Sequence, residues 1–316
     1  MSNVIELIEG KYDKVICLTA IGDEFLNDFN KISLPHFKNY CLKYGLGLIL
    51  LKDYINEDDK NFAPYNSRPN LQRLLLPSFV KKHFSKYKFI CDIDVDCLPG
   101  QVARNIFDFT DFRNEKNIFL TNPTPKNFSR ENIGKRLSIL RNIYNDNNFP
   151  INSLLSGSDQ DEKEIYNLKF DGQIATIGTC VAKIDTLSDC FLKVYKSIQK
   201  NFSGYLQHYT NQTFRKYGNL NWLPYEFQAI WNFEVALYYP FLFSDQYSNL
   251  MKQCVMQSLL RVDMLHFAGN WAENKIFKFG PFLEFENDMD KYLNKIPEFL
   301  ETEISINSYG KIKDKN

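Results

Sequence analysis

Tyr87-Lys88-Phe89-Ile90-Cys91-Asp92-Ile93-Asp94-Val95-Asp96-Cys97-Leu98-Pro99-Gly100 runs from a hydrophobic stretch straight into three aspartates at alternate positions. Residues two apart on a strand share a face, so an extended reading gathers the carboxylates of Asp92, Asp94 and Asp96 on one side of a strand end. Like charges that close are unfavourable unless a cation, a positive side chain or a shared proton intervenes. Oxygen donors suit Mg²⁺, Mn²⁺ or Ca²⁺, and Mg²⁺ in particular is held by one or two carboxylates together with substrate phosphates. The competing account is a solvated turn after a buried strand, and the apolar approach from Phe89 to Cys91 argues against it.

Outward from this stretch, strands and helices alternate. Residues 14–18 read as a short buried strand, Thr19-Ala20-Ile21-Gly22 as a turn, and 23–44 as a helix interrupted near Pro35. A second strand follows the helix stop at Gly45, and 52–67 is a polar loop. Arg68-Pro69-Asn70 opens another helix whose buried face carries Leu71, Leu74, Leu75, Phe79 and Val80, with a bend at Pro77. Such alternation predicts a parallel α/β sheet, in which ligands bind beyond the carboxyl ends of the strands. The 19–22 turn and the aspartates both fall at such ends.

Further on, the pattern predicts a strand at 117–120, a helix at 130–144, a polar loop at 156–163 and a strand over 170–184. A helix over 186–202 follows. Residues 222–232 read as a helix start that places Gln228 and Asn232 on one face, and 263–271 as a late strand ending in a glycine loop.

The chain has 316 residues, with 38 basic and 38 acidic side chains, so no net charge recruits nucleic acid or an anionic membrane. Seven cysteines show no C-x-x-C pair and no zinc spacing, which points to reduced, buried thiols and a cytoplasmic location. Residues 1–14 carry Glu6, Glu9 and Asp13 and no signal-type apolar segment. The greasiest region, 227–243, is interrupted by Asn232, Glu234 and Pro240, so membrane contact is at most peripheral.

Four segments together resemble the GT-A class of nucleotide-sugar glycosyltransferases, most closely the bacterial members of glycosyltransferase family 8. Residues 14–22 look like the first strand and nucleotide-binding turn. Asp92-Ile93-Asp94 looks like the D-x-D metal motif. Glu226 to Asn232 is similar to a helix start written D-Q-D with a later L-N, matched here by Gln228 and Asn232. His266-Phe267-Ala268-Gly269 resembles the late H-F-x-G motif. The resemblance spans 14 to about 275.

That resemblance implies a GT-A, Rossmann-like α/β fold with a mainly parallel sheet flanked by helices. It implies a single catalytic domain over 1–304 with helical C-terminal additions, a nucleotide-binding half at about 12–122, an acceptor half at about 165–290 and a polar tail at 305–316. Asp92, Asp94 and His266 would hold Mn²⁺ or Mg²⁺. Thr19, Ala20, Ile21, Gly22, Arg68, Asp92, Gly178, Gly269 and Lys275 would bind the nucleotide diphosphate sugar, expected to be a UDP-sugar. Of Arg68 and Arg73, the functional role is assigned to Arg68, while Asp96 orients the ligands or caps the next turn. Glu226, Asp171 and Gln228 are the candidate catalytic residues, and retention of the anomeric configuration is favoured over inversion. The expected partners are a donor and a saccharide acceptor in bacterial surface polysaccharide synthesis, such as capsule or lipooligosaccharide.

The chain departs from the family pattern in having Phe227 and Ala229 where aspartates stand, and Ala272 at the place of a lysine, with Lys275 nearby. Two other readings compete. A haloacid dehalogenase-like phosphohydrolase would use Asp92 as nucleophile beside Mg²⁺. A binding subunit would keep the sugar-nucleotide fold without catalysis.

Overall fold

The computed structural model describes residues 3–61, 68–122, 124–144, 175–200 and 206–268. Strands β1 (Val4–Ile8) and β2 (Lys14–Thr19) lead into helices α1 (Asp23–Lys31) and α2 (Ser33–Tyr44) and strand β3 (Gly47–Leu51). The break expected near Pro35 falls at Ile32. Pro35 itself sits in the first turn of α2, where a missing N–H costs no intrahelical bond. Gly45 ends α2 with φ 65°, a left-handed conformation that favours a residue without Cβ. Helices α3 (Arg68–Arg73) and α4 (Leu76–His83) are two short pieces where one bent helix was expected, with Pro77 in the first turn of α4.

Strands β4 (Phe89–Ile93), β5 (Cys97–Pro99) and β6 (Asn117–Thr121) follow, then helix α5 (Arg130–Tyr144). Strand β7 (Thr176–Lys183), helices α6 (Ile184–Lys200) and α7 (Leu206–Tyr217) and strand β8 (Asn219–Leu223) come next. After a 3-10 turn, Tyr225–Gln228, the described part ends with β9 (Ala229–Ile230), α8 (Trp231–Tyr238), α9 (Met251–Leu259) and β10 (Met264–His266).

Seven strands form one sheet in the order β1-β3-β2-β4-β7-β6-β8, and β5-β10-β9 form a second. The large sheet is mixed, with five of its seven strands, β3, β2, β4, β6 and β8, running one way and β1 and β7 the other. Strands β3, β2 and β4 run parallel, as do β6 and β8, whereas β1 is antiparallel to β3 and β7 is antiparallel to both β4 and β6. Sequence alternation alone does not reveal the direction in which a distant segment enters a sheet.

Both faces of the large sheet are covered, which explains its continuous apolar runs. Ile16, Leu18, Leu48, Leu50, Cys91, Ile93 and Val181 face one core, shared with Phe29 and Phe37 of α1 and α2. Val15, Cys17, Ile49, Leu51, Ile90, Cys180 and Ala182 face the other, against Leu71, Val80, Leu187, Phe191 and Phe214 from α3, α4, α6 and α7.

The segment 222–232 differs from its expected helix. Ala229 and Ile230 pair in parallel with Leu265 and His266, so their backbone serves a sheet. Gln228 and Asn232 are therefore not neighbours on one helix face, and each is buried for its own reason.

Candidate functional site

Strand β4 runs in register with β2, Leu18 opposite Ile93, so the 19–22 turn and Asp94 leave the sheet at the same edge. The alternation of β4 turns Asp92 to the same face as Ile90, toward α3. Arg73, the last residue of α3, meets it there. Its Nε donates to Asp92 Oδ2, its Nη1 donates to Asp94 Oδ1, and its Nη2 donates to the Ile177 carbonyl at 2.6 Å. Arg73 and Asp92 are both buried, 6% and 1% exposed. This fork is the positive group that the aspartate cluster requires.

Burial raises the Asp92 carboxyl to about 6 while Arg73 works in the opposite sense. Burial also raises Asp94, again opposed by Arg73. Asp92 Oδ1 is closed from solvent and has no hydrogen-bond partner.

The three aspartates do not line up on one face. Strand β4 ends at Ile93, and Asp94 to Cys97 form a turn closed by Cys97 N–H donating to the Asp94 carbonyl at 3.0 Å. The turn swings Asp96 toward β10, where the Phe267 N–H donates to the Asp96 carbonyl at 2.9 Å and His266 pairs with Cys97. His266 Nε2 then lies 3.3 Å from Asp96 Oδ1 and 3.7 Å from Asp94 Oδ2. Burial alone would lower the imidazole, but the Asp96 and Asp94 carboxylates outweigh it and hold its pKa above the usual value.

Gln228 fixes the ring from the other side, its amide nitrogen 3.0 Å from His266 Nδ1. An amide nitrogen only donates, so in this orientation Nδ1 accepts and Nε2–H points at the carboxylates. Turning the amide over would let Gln228 Oε1 accept from Nδ1–H and leave the Nε2 lone pair for a metal. Gly178 makes room for this arrangement. A Cβ there would stand 2.2 Å from Gln228 Nε2 and 2.9 Å from Asp94 Oδ2, and its carbonyl accepts from Asp94 N–H at 2.8 Å.

A divalent cation suits this donor set. Carboxylate oxygens with one imidazole match Mn²⁺ as well as Mg²⁺. Among the described residues, one group of three metal-ligating side chains converges within 4.8 Å, namely Asp96, Cys97 and His266.

The remaining expected residues are placed as follows. Thr19, Ala20, Ile21 and Gly22 form the turn after β2, with Gly22 at φ 103° and open space where a Cβ would be. Thr19 Oγ1 is buried without a partner. Arg68 begins α3, but its side chain lies outside the described residues, as do Asp171, Gly269 and Lys275 entirely. Glu226 is half-buried on the turn that carries Gln228, and its charge is felt by Arg104 and Arg261.

Arg73 is the arginine seen at the aspartates, whereas the sequence reading gives it a solvated helix face and keeps the functional role, at phosphate or nucleobase, for Arg68. Asp92, the nucleophile in the phosphohydrolase reading, is shut beneath Arg73 and closed to an incoming phosphate.

The solved structures that this chain is similar to include a glycosyltransferase involved in the glycosylation of the major capsid of PBCV-1, at 9% identity and TM-score 0.45, covering 88% of this chain and 99% of that one. The galactosyltransferase LgtC in complex with donor and acceptor sugar analogues is similar at 12% identity and TM-score 0.47, covering 86% and 95%. The bifunctional glycosyltransferase WbbM is similar at 11% identity and TM-score 0.48, covering 84% of this chain and 47% of that one. No family model and no curated protein matches the sequence.

Proposed function

We propose that this chain is a metal-dependent glycosyltransferase that moves a sugar from a nucleotide diphosphate sugar, of the UDP class, to a saccharide acceptor in surface polysaccharide synthesis. The observation that carries this reading is the convergence of Asp94, Asp96 and His266 from two different sheets, beside the turn after β2. Asp94 and His266 belong to the D-x-D and H-F-x-G segments to which the sequence is similar, and Asp96 lies just beyond the first.

A bound divalent ion supplies charge stabilisation to a departing nucleoside diphosphate, without proton transfer. The chain's own residues prepare that role. Arg73 balances Asp92 and one oxygen of Asp94, so the cluster survives burial with a single carboxylate edge turned outward. Gln228 holds the His266 ring through its Nδ1, and Gly178 lets the amide approach. The turn at 19–22 offers backbone close to the same edge, the place for a nucleotide in sheets of this kind.

Retention of configuration is the favoured outcome; an inverting reaction would instead need one carboxylate base beside the acceptor hydroxyl, and Glu226 is proposed for that position, with Asp171 second. Arg68, Gly269 and Lys275 are proposed as further donor contacts.

The test is a thermal-shift screen with UDP, GDP, CMP and their sugars, with and without Mn²⁺. A ligand at about 100 times its dissociation constant adds about 2.7 kcal/mol of stability. The expected result is a manganese-dependent shift with one nucleotide class, lost in Asp94→Asn, followed by transfer from that donor. Absence of any nucleotide shift overturns the reading.

A further inference from the structure

The two ends of the large sheet differ in charge. Its carboxyl edge carries Asp94 and the 19–22 turn, and its amino edge carries a row of lysines. Lys14 opens β2, Lys88 and Lys116 immediately precede β4 and β6, and Lys216 stands just before β8. The register sets these strand starts side by side, with Lys14 opposite Phe89, Phe89 opposite Lys183 and Asn117 opposite Asn219. From β2 through β4, β7 and β6 to β8 at about 4.8 Å per strand, the row is about 20 Å wide. Lys11, whose N–H donates to the Gly45 carbonyl at 2.9 Å, and Lys43 of α2 extend it beyond β2.

All of these lysines but Lys14 are exposed, and none has a carboxylate partner among the described residues. The acids of this edge are engaged with other cations. Glu115 pairs with Lys183 at 2.7 Å, Asp185 with Lys81 at 2.8 Å, Glu6 and Glu9 with Lys86 at 3.1 and 2.9 Å, and Asp111 with Arg113 at 2.5 Å. Asp13 and Asp189 offset two of the lysines, and the others are surplus, so the zero net charge of the chain conceals a positive edge. Lys43 and Lys216 lie in the last turns of α2 and α7, where a cation also faces the helix carbonyl ends. Lys14, Lys88 and Lys116 belong to strand starts and have no such role.

Apolar groups stand among the charges. Tyr12 and Leu42 are 63% and 66% exposed and share the corner at Gly45, where a Cβ would lie 3.1 Å from Tyr12 Cε2 and the Gly45 N–H donates to the Leu42 carbonyl. At the other end of the row, Tyr217 is exposed with the ammonium groups of Lys193 and Lys216 over its ring at 5.0 and 5.2 Å. Aromatic rings with a polar tip and lysines with apolar stems suit the headgroup zone of a bilayer, which takes both charge and grease.

We propose that the amino edge of the large sheet docks on an anionic lipid surface, with Lys11, Lys88, Lys116 and Lys216 supplying the charge and Tyr12 and Leu42 the apolar contact. The binding is peripheral and does not depend on the glycosyltransferase reading. It leaves the carboxyl edge, with Asp94 and the 19–22 turn, turned toward water.

The experiment is co-sedimentation of the full chain with vesicles of phosphatidylcholine alone and of phosphatidylcholine mixed with phosphatidylglycerol, with circular dichroism to check each variant for folding. Wild type is expected to bind the mixed vesicles, to bind the neutral ones far less, and to lose binding as salt rises. A lysine near an anionic surface contributes about fivefold to partition. Changing Lys11, Lys88, Lys116 and Lys216 together to Gln is expected to lower partition at least about twentyfold more than the same change at Lys31, Lys52, Lys126 and Lys135, on the same scale. Tyr12→Ser with Leu42→Ser is expected to lower it about tenfold, since apolar contact is lost while charge is kept.

A smaller difference between the two lysine sets, or equal binding to neutral vesicles, overturns the proposal. Partition unchanged in the Tyr12 and Leu42 variant, with a DNA oligonucleotide bound as tightly as the vesicles, overturns lipid as the occupant in favour of a polyanion.

Discussion

At the scale of single residues, Arg73 is the linchpin of the acidic cluster. Removing one member of a buried ion pair leaves an uncompensated charge and costs about 3–5 kcal/mol. Arg73→Ala is therefore expected to lower the urea-unfolding free energy by about that amount at neutral pH. Arg73→Lys is expected to recover only part of it, because a point charge cannot bridge Asp92 and Asp94 as the fork does. Gly178→Ala tests the other side of the site. Its new Cβ would collide with the Gln228 amide and crowd Asp94, and overpacking of this kind costs about 1–3 kcal/mol. A lowered melting temperature together with weakened Mn²⁺ binding is the expected pair of readouts, since the displaced amide would no longer steady His266.

At the scale of elements, the contact of α2 with β5 holds the turn after Asp96 in place. His36 of α2 lies buried with Nδ1 3.0 Å from the Pro99 carbonyl, which can only accept, so Nδ1 carries the proton. Burial lowers this imidazole to about 4, against a weaker raising effect of the Pro99 bond. Its folded pKa is depressed, so the unfolded chain takes up a proton first as pH falls. The stabilisation is complete above about pH 6.5 and is lost progressively between there and about 4, approaching 3 kcal/mol on the order of the shift. His36→Asn keeps a donor for Pro99 and removes the titration. The expected result is that the difference between the wild-type and variant urea curves slopes over that pH window and is flat above it.

The strands 14–18 and 117–120, the 176–183 part of the strand expected over 170–184 and the helix 130–144 were legible because hydrophobic runs and breaks mark them directly, while 170–174 lie outside the described residues. The β5–β10 pairing and the 3-10 turn at 225–228 were not, because three-residue and two-residue strands carry no periodicity to read. Extended spacing predicts a shared face, and the turn after Ile93 cancels that rule.

At the scale of the whole molecule, the two cores seal every cysteine. All seven are free and buried, and burial pushes the Cys190 thiol up to about 11 and the Cys17, Cys91, Cys97 and Cys180 thiols well above their ordinary value. A thiol probe such as Ellman's reagent is expected to find no fast-reacting group in the native protein and seven in denaturant. Fast reaction of any thiol under native conditions would place that part of the core in exchange with solvent. Among the described residues, no helix is long and apolar enough to cross a membrane.

The sequence by itself determined the α/β alternation, the strand that delivers the aspartates, the glycine that ends α2 and the need for a positive partner. These are local matters of spacing, backbone freedom and charge repulsion. Tertiary structure alone decided that Arg73 answers that need, which aspartates face His266 and which way β1 and β7 run. Each depends on how segments far apart in the chain cross, and the free energy of such a crossing is shared among side chains whose separation in sequence carries no signal.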